Sequence, residues 1–233
     1  MDIISKITEE LQVKKWQVEA AVGLIDEGNT IPFISRYRKE ATGSLNDEQL
    51  RNLHERLLYL RNLEEKKEQV LGSIEEQGKL TDELKKQILA AETLVVVEDL
   101  YRPYRPKRKT RASIAKEKGL EGLAEYILAQ TASEPVLEEA KKYVTGEDAE
   151  EGKQVKTAEE ALQGAKDIIA ESISDSAEYR AYIRNATMEE GVITSEAKDE
   201  KAESVYEMYY HFEEPAKKVA GHRVLALNRG EAE

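Results

Sequence analysis

Apolar residues recur along this chain at helical spacing. Ile3, Ile4, Ile7 and Leu11 form one stripe, and Val18, Ala21, Val22 and Ile25 form a second after Val13, which predicts two short helices. Glu27-Gly28-Asn29 reads as a helix end, and Pro32 suits the first turn of a new helix beginning near Thr30. Asn46 with Gln49 at the third helical position opens a proline-free run from Asp47 to Gln77, a rod of roughly 45 Å. Leu50, Leu53, Leu57, Leu60, Leu63, Val70 or Leu71, and Ile74 keep one face of the rod apolar. Gly78 stops it, Thr81 caps the next helix, and Leu84, Ile88 and Leu89 are expected to fold back on the rod as a helical hairpin.

Leu94 to Val97, behind Thr93, reads as a buried helix, with a strand left open by its β-branched residues. Helical patterns follow at Ala112 to Lys118, Leu120 to Ala129 and Pro135 to Val144, then a surface loop over 145–156. Thr157 and Glu160 are read as a capping box for a helix carrying Ala161, Leu162, Ala165, Ile168 and Ile169, and Asp175 as the cap of a further helix through Tyr179, Tyr182, Ile183 and Met188. A turn is expected at Gly191-Val192-Ile193. Lys198 to Tyr210 is read as a helix with Ala202, Val205, Tyr206 and Tyr209 on one side, and Phe212 to Val219, around Pro215, as irregular. Val224, Leu225 and Leu227 form the last apolar cluster. The pattern predicts an all-α, multi-helix assembly with one long helix in a hairpin, divided into 1–112 and 113–233.

Composition supports the helical reading and narrows the functional classes. In 233 residues there are only 13 glycines and 5 prolines, and good helix formers dominate. The absence of cysteine excludes disulfides, zinc ribbons and thiol nucleophiles. No apolar run approaches a membrane span, and the first residues lack the basic-then-apolar order of a signal peptide. A cytoplasmic protein without membrane contact is expected.

Catalytic signatures are lacking. His54, His211 and His222 lie in separate segments without ligand spacing, and there is no Walker loop, G-x-G-x-x-G, H-E-x-x-H or EF-hand pattern. The acidic stretch from Glu147 to Glu151 is read as a solvated charge run. Neither an enzyme nor a cofactor is implied.

One segment departs from the rest. From Asp99 to Arg111, six cations and one anion give a local charge of +5 in a chain of net charge −12. Arg102, Arg105, Lys107, Arg108, Lys109 and Arg111 are the cations. Pro103 and Pro106 stiffen the backbone, while Tyr101 and Tyr104 offer flat faces for stacking. Two readings stand: a surface for nucleic-acid phosphates and bases, or a connector whose cations pair with acidic helices. Arg36, Tyr37, Arg38 and Lys39 form a second basic-aromatic group, read either as an extension of that surface or as cations complementing a helix C-terminus. Pro103 to Pro106 also fits the short P-x-x-P pattern, which recurs often by chance.

These stretches carry a resemblance. Ile31-Pro32-Phe33-Ile34-Ser35-Arg36-Tyr37-Arg38-Lys39-Glu40 with Thr42-Gly43, the run from Glu98 to Ala112, and His222 to Glu231 resemble the N-terminal helical region of the bacterial transcription accessory protein Tex family. The resemblance implies helix-turn-helix-like elements here. It also implies a longer architecture in which this region precedes an RNase H-like domain, a helix-hairpin-helix part and an OB-type RNA-binding domain, with the chain ending before all three. It further implies binding to RNA or DNA, mainly through those other domains, a role in transcription, and similarity to a eukaryotic elongation factor that also handles histones. No matched motif marks a catalytic residue. The competing expectation is a protein-interaction scaffold in which the long helix and the acidic loop meet the transcription or translation machinery.

Overall fold

The computed structural model describes residues 2–130, 134–145 and 152–232. Among them are twelve α-helices, two 3-10 turns and one two-stranded sheet, so the fold is mostly all-α. The chain divides into two compact units, Met1–Arg105 and Pro106–Glu233.

In the first unit, α1 (Ile3–Leu11), α2 (Lys15–Asp26) and α3 (Ile31–Tyr37) pack on α4 (Asp47–Glu76). Helix α5 (Asp82–Ala90), α6 (Leu94–Tyr101) and a 3-10 turn at Arg102–Tyr104 complete it. Local chemistry sets these boundaries. Asp2, Asn46, Thr81 and Thr93 each accept a backbone N–H in the first turn of the helix that follows, and Asn46 and Gln49 cap reciprocally at 2.8 and 3.0 Å. Tertiary packing decides for helix at Leu94 to Val97, where Val97 is fully buried while Val95 and Val96 face out.

The 30-residue α4 spans about 45 Å and supplies Leu50, Leu53, Leu57, Leu60, Leu63, Val70 and Ile74 to the core. Leu84 and Ile88 of α5 fold onto it as expected, whereas Leu89 is half exposed. Lys67 occupies the stripe position between Leu63 and Val70 and is buried, its ammonium donating to Glu64 at 2.8 Å and to the Leu89 carbonyl at 3.0 Å.

The second unit builds its core from α7 (Arg111–Glu117), α8 (Glu121–Ala129), α9 (Val136–Lys141) and α10 (Ala158–Asp175). Ala112, Ala115, Ala161 and Ala165 let these helices approach closely around Leu120, Leu123 and Val155. Gly164 belongs to this close contact, since a Cβ there would lie 2.4 Å from Leu120 Cδ1. The acidic stretch Glu147 to Glu151 lies outside the described residues. Thr145 and Val155 are joined by backbone hydrogen bonding at 2.9 Å.

Two expected caps differ. Thr157 accepts from the Glu160 N–H, but the Glu160 carboxylate takes the Lys156 N–H and the Lys118 ammonium instead of completing a capping box. Ser176, not Asp175, caps α11 (Ala177–Glu190); Asp175 ends α10 and is buried.

The larger correction follows α11. Lys198 to Tyr210 is not a helix. The chain forms β1 (Val192–Glu196), an excursion with a 3-10 turn at Glu207–Tyr209, β2 (His211–Pro215) antiparallel to β1, and α12 (Gly221–Ala232). The expected turn at Gly191 to Ile193 is strand from Val192 on, and of the stretch Phe212 to Val219 the part up to Pro215 is strand while 216–219 is irregular as expected. Pairing across the hairpin wins over the helical periodicity of Ala202, Val205, Tyr206 and Tyr209. No described residue beyond Asp175 is buried.

Candidate nucleic-acid interface

The candidate residues separate by unit. Arg36, Tyr37, Arg38, Arg102, Tyr104 and Arg105 belong to the first, and Lys107, Arg108, Lys109 and Arg111 to the second.

The two tyrosines of the basic segment are core groups. Tyr101 and Tyr104 are half-buried against the first core, the Tyr101 hydroxyl shares a 3.0 Å hydrogen bond with Ser73, and the Tyr104 carbonyl accepts from the Gln77 amide at 2.9 Å. The Lys66 ammonium lies 5.9 Å from the Tyr101 ring centroid. These rings pack against the core and help to hold the 3-10 turn down.

The cations of the segment have different fates. Lys107 is an anchor: its ammonium pairs with Asp175 and lies 3.5 Å from Glu171, both on α10. Lys109 reaches Glu117 at 3.6 Å and Arg111 reaches Asp167 at 3.8 Å, long pairs from cations that stay mostly exposed. Such surface pairs are worth about 0–1 kcal/mol and exchange readily for another anion. Arg105 and Arg108 are exposed and form no ion pair with a described residue. Arg102 is exposed and is not without a partner. The connector reading thus fits Lys107 and, weakly, Lys109 and Arg111.

The basic-aromatic group at the end of α3 is the better-formed surface. The Ile34 side chain anchors the helix in the core and leaves Phe33 and Tyr37, one turn apart, on the outside. Their ring centroids are 5.3 Å apart, Tyr37 is 67% exposed, and the Arg38 guanidinium stands 5.3 Å from the Phe33 centroid. Arg36, Tyr37, Arg38, Lys39, Glu40 and Ala41 line an open cleft of about 450 Å³.

That turn is rigidly mounted. The Thr42 hydroxyl donates to the Arg38 carbonyl, Ser44 N–H to the Lys39 carbonyl at 2.7 Å, and the Gln17 amide to the carbonyls of Thr42 and Gly43 at 3.1 and 3.0 Å. Among the described residues, Arg36, Arg38 and Lys39 form no ion pair. Three unneutralised cations beside an exposed ring in an acidic chain favour an anionic, partly aromatic ligand. The role of Phe33 under Arg38 was not read from the sequence; its i, i+4 spacing with Tyr37 is the signal that finds it.

Elsewhere, no three His, Cys, Asp or Glu residues among those described converge as a metal site. No described helix is long and apolar enough to cross a membrane.

Two family models match the chain: the Tex-like protein N-terminal domain over residues 1–75 and the Tex central region-like model over 131–233. YdcI of Bacillus subtilis is 48% identical over 98% of this chain and 31% of its own length. The transcriptional accessory protein Tex of Neisseria gonorrhoeae is 43% identical over the whole of this chain and 30% of its own length. The human S1 RNA-binding domain-containing protein 1 is 28% identical over 99% of this chain and 23% of its own length. The chain thus spans under a third of these curated relatives. By its N-terminal and central regions, it belongs to the Tex-like protein family.

Proposed function

We propose that this chain is a non-catalytic, cytoplasmic helical module of a transcription accessory factor, and that it contacts RNA or DNA through the turn after α3. The carrying observation is the Arg36, Arg38 and Lys39 cluster, unpaired among the described residues and set around the exposed Tyr37 ring. Support comes from relatives whose names include a transcriptional accessory protein and an S1 RNA-binding domain-containing protein. Phosphates meet the three cations, and the ring adds an apolar face. Arg108 is a secondary cation in its own unit, and Lys107 serves the fold.

The test is salt-dependent binding of a fluorescent single-stranded RNA to the 233-residue chain. Three phosphate contacts give a slope of log K on log salt of roughly −2. Changing Arg36, Arg38 and Lys39 to Ala is expected to flatten that slope and abolish most binding, with the melting temperature preserved. Unchanged binding by the triple variant overturns the assignment of the site.

A second reading, a protein-interaction scaffold, is favoured by α11. Its exposed side carries Tyr179, Tyr182 and Ile183, at 51%, 72% and 61% exposure, an apolar face turned outward. Absence of RNA binding together with capture of one defined protein partner selects it.

A further inference from the structure

The β1–β2 hairpin has one outer edge blunted by a proline and one that carries none. Ala216 N–H donates to the Gly191 carbonyl at 2.8 Å and Ala197 N–H to the Tyr210 carbonyl at 3.1 Å, which fixes the alternation of the ladder. Ile193 and Ser195 direct their backbone groups toward β2, so Val192, Thr194 and Glu196 direct theirs away from it. On β2 the outward residues are His211, Glu213 and Pro215. Pro215 has no N–H, so the outer edge of β2 is blunted in the way natural edge strands avoid pairing. The outer edge of β1 has no such device, and no described residue hydrogen-bonds to the backbone of Val192, Thr194 or Glu196 on that side.

Two further observations say what fits there. A two-stranded sheet is marginal by itself, and a third strand is the usual remedy. Helix α12 supports the hairpin and its connection: Arg223 pairs with Glu214 of β2 at 2.6 Å, and Gly230 lies against the Tyr206 ring of the excursion. The edge thus stands on an ordered scaffold. The segment is acidic, with nine carboxylates and two lysines from Glu189 to Pro215, of which Glu189 and Glu214 pair with Lys217 and Arg223. Apolar side chains stand among these charges, Val192 at 49%, Val205 at 86% and Met208 at 75% exposure.

We infer that the open edge of β1 is a docking site for an extended, lysine- or arginine-bearing segment of a partner protein, added as a third antiparallel or parallel strand. Main-chain hydrogen bonds to Val192, Thr194 and Glu196 supply affinity, and side chains of alternating apolar and basic character supply fit, an apolar one beside Val192 and a cation beside Glu196. A nucleic-acid ligand is disfavoured there by the same carboxylates. This site shares no residue with the α3 turn and does not rest on the role proposed for it.

The experiment uses the whole 233-residue chain and a capped fluorescent peptide, Lys-Val-Thr-Val-Lys-Val, against a counterpart with Glu in place of Lys. The basic peptide is expected to bind and to slow amide exchange at Val192, Thr194 and Glu196, the glutamate peptide to do neither. Thr194→Pro removes an outward N–H without breaking a β1–β2 hydrogen bond, and is expected to weaken binding roughly tenfold, the loss of one well-made hydrogen bond. A second arm needs no variant: methylating the peptide nitrogens that face β1 is expected to weaken binding to the unaltered protein at least as much. Equal binding of both peptides, binding without protection of those three amides, or indifference to peptide methylation overturns the inference. So does protection in the free protein that rises with its concentration, which assigns the edge to a second copy.

Discussion

Lys107 and Asp175 are joined by an ion pair that ties the entry of the second unit to the last residue of α10. Asp175 is buried, so its charge is poorly solvated when the Lys107 ammonium is removed. Lys107→Ala is expected to destabilise the protein by about 1–3 kcal/mol and to leave nucleic-acid affinity nearly unchanged. Arg108→Ala, at an exposed cation with no ion pair to a described residue, is expected to leave stability within about 0.5 kcal/mol. Urea denaturation of both variants, read beside RNA titrations, checks the pair. Loss of RNA affinity in Lys107→Ala without loss of stability reverses the assignment.

Lys67 is a charged residue fully buried in the first unit, and its stem fills a position the heptad-like stripe reserves for an apolar side chain. Its ammonium satisfies the Leu89 carbonyl, one of the orphan acceptors at the end of α5. Burial pushes the Glu64 carboxyl up, the Lys67 hydrogen bond pulls it down, and the net position is below its ordinary value. Lys67→Met keeps the stem and deletes the charge, at an expected cost of about 1–3 kcal/mol; Lys67→Ala adds a cavity and is expected to cost about 2–5 kcal/mol. Chemical denaturation ranks the two, and the opposite order overturns this account of Lys67.

The contrast between α4 and the β1–β2 hairpin shows what could be read from the residues alone. Leu50 to Ile74 repeat on a single helix, so the stripe, the Asn46 cap and the Gly78 stop are all local signals. Lys67 escaped notice because charge is usually read as exposure, although its spacing from Leu63 and Val70 places it inside. The hairpin pairs Val192 with Pro215 across an excursion whose own residues mimic helical spacing, and no local pattern reports that pairing. The basic segment was legible as charge, but not which cations find partners: the carboxylates that hold Lys107 are Glu171 and Asp175, more than sixty residues away. That the three cations at the α3 turn form no ion pair with a described residue is visible only once the structure is known.

Acid is expected to loosen the first unit through Glu10. The hydrogen bond from Arg56, opposed by burial and reinforced by the guanidinium charge, holds the Glu10 carboxyl below its ordinary value of 4.5. The pair is bidentate, at 2.6 and 2.7 Å. A carboxylate whose pKa falls on folding stabilises the fold above its unfolded pKa, and that contribution disappears as pH drops through the folded pKa. Glu10→Gln is therefore expected to be less stable than the unaltered protein at pH 7, with the difference shrinking as pH falls below about 4.5. Urea midpoints at a series of pH values measure it. A gap that is constant down to pH 3 removes the Glu10–Arg56 pair from the acid response.

Gly43 offers the most direct optical test of the turn that carries the cation cluster. Its φ of +60° lies in the left-handed region, and a Cβ there would stand 2.4 Å from the Trp16 ring and 2.7 Å from the Gln17 amide nitrogen. The indole is rigid and cannot yield as a flexible chain end would, so Gly43→Ala must displace the ring, the turn or both. The Gln17 hydrogen bonds to the Thr42 and Gly43 carbonyls would be strained in the same movement. A loss of about 1–3 kcal/mol is expected from the combined backbone and steric cost. Trp16 is the only tryptophan in the chain, so its emission reports the displacement without interference. Because Arg36, Arg38 and Lys39 stand on the segment that Gln17 fastens, RNA affinity is expected to fall together with the spectral shift. Gly43→Ala with an unaltered Trp16 spectrum and unaltered stability contradicts the close packing of the turn on α2. A shifted spectrum with full RNA affinity leaves the packing intact and removes the turn's geometry from binding.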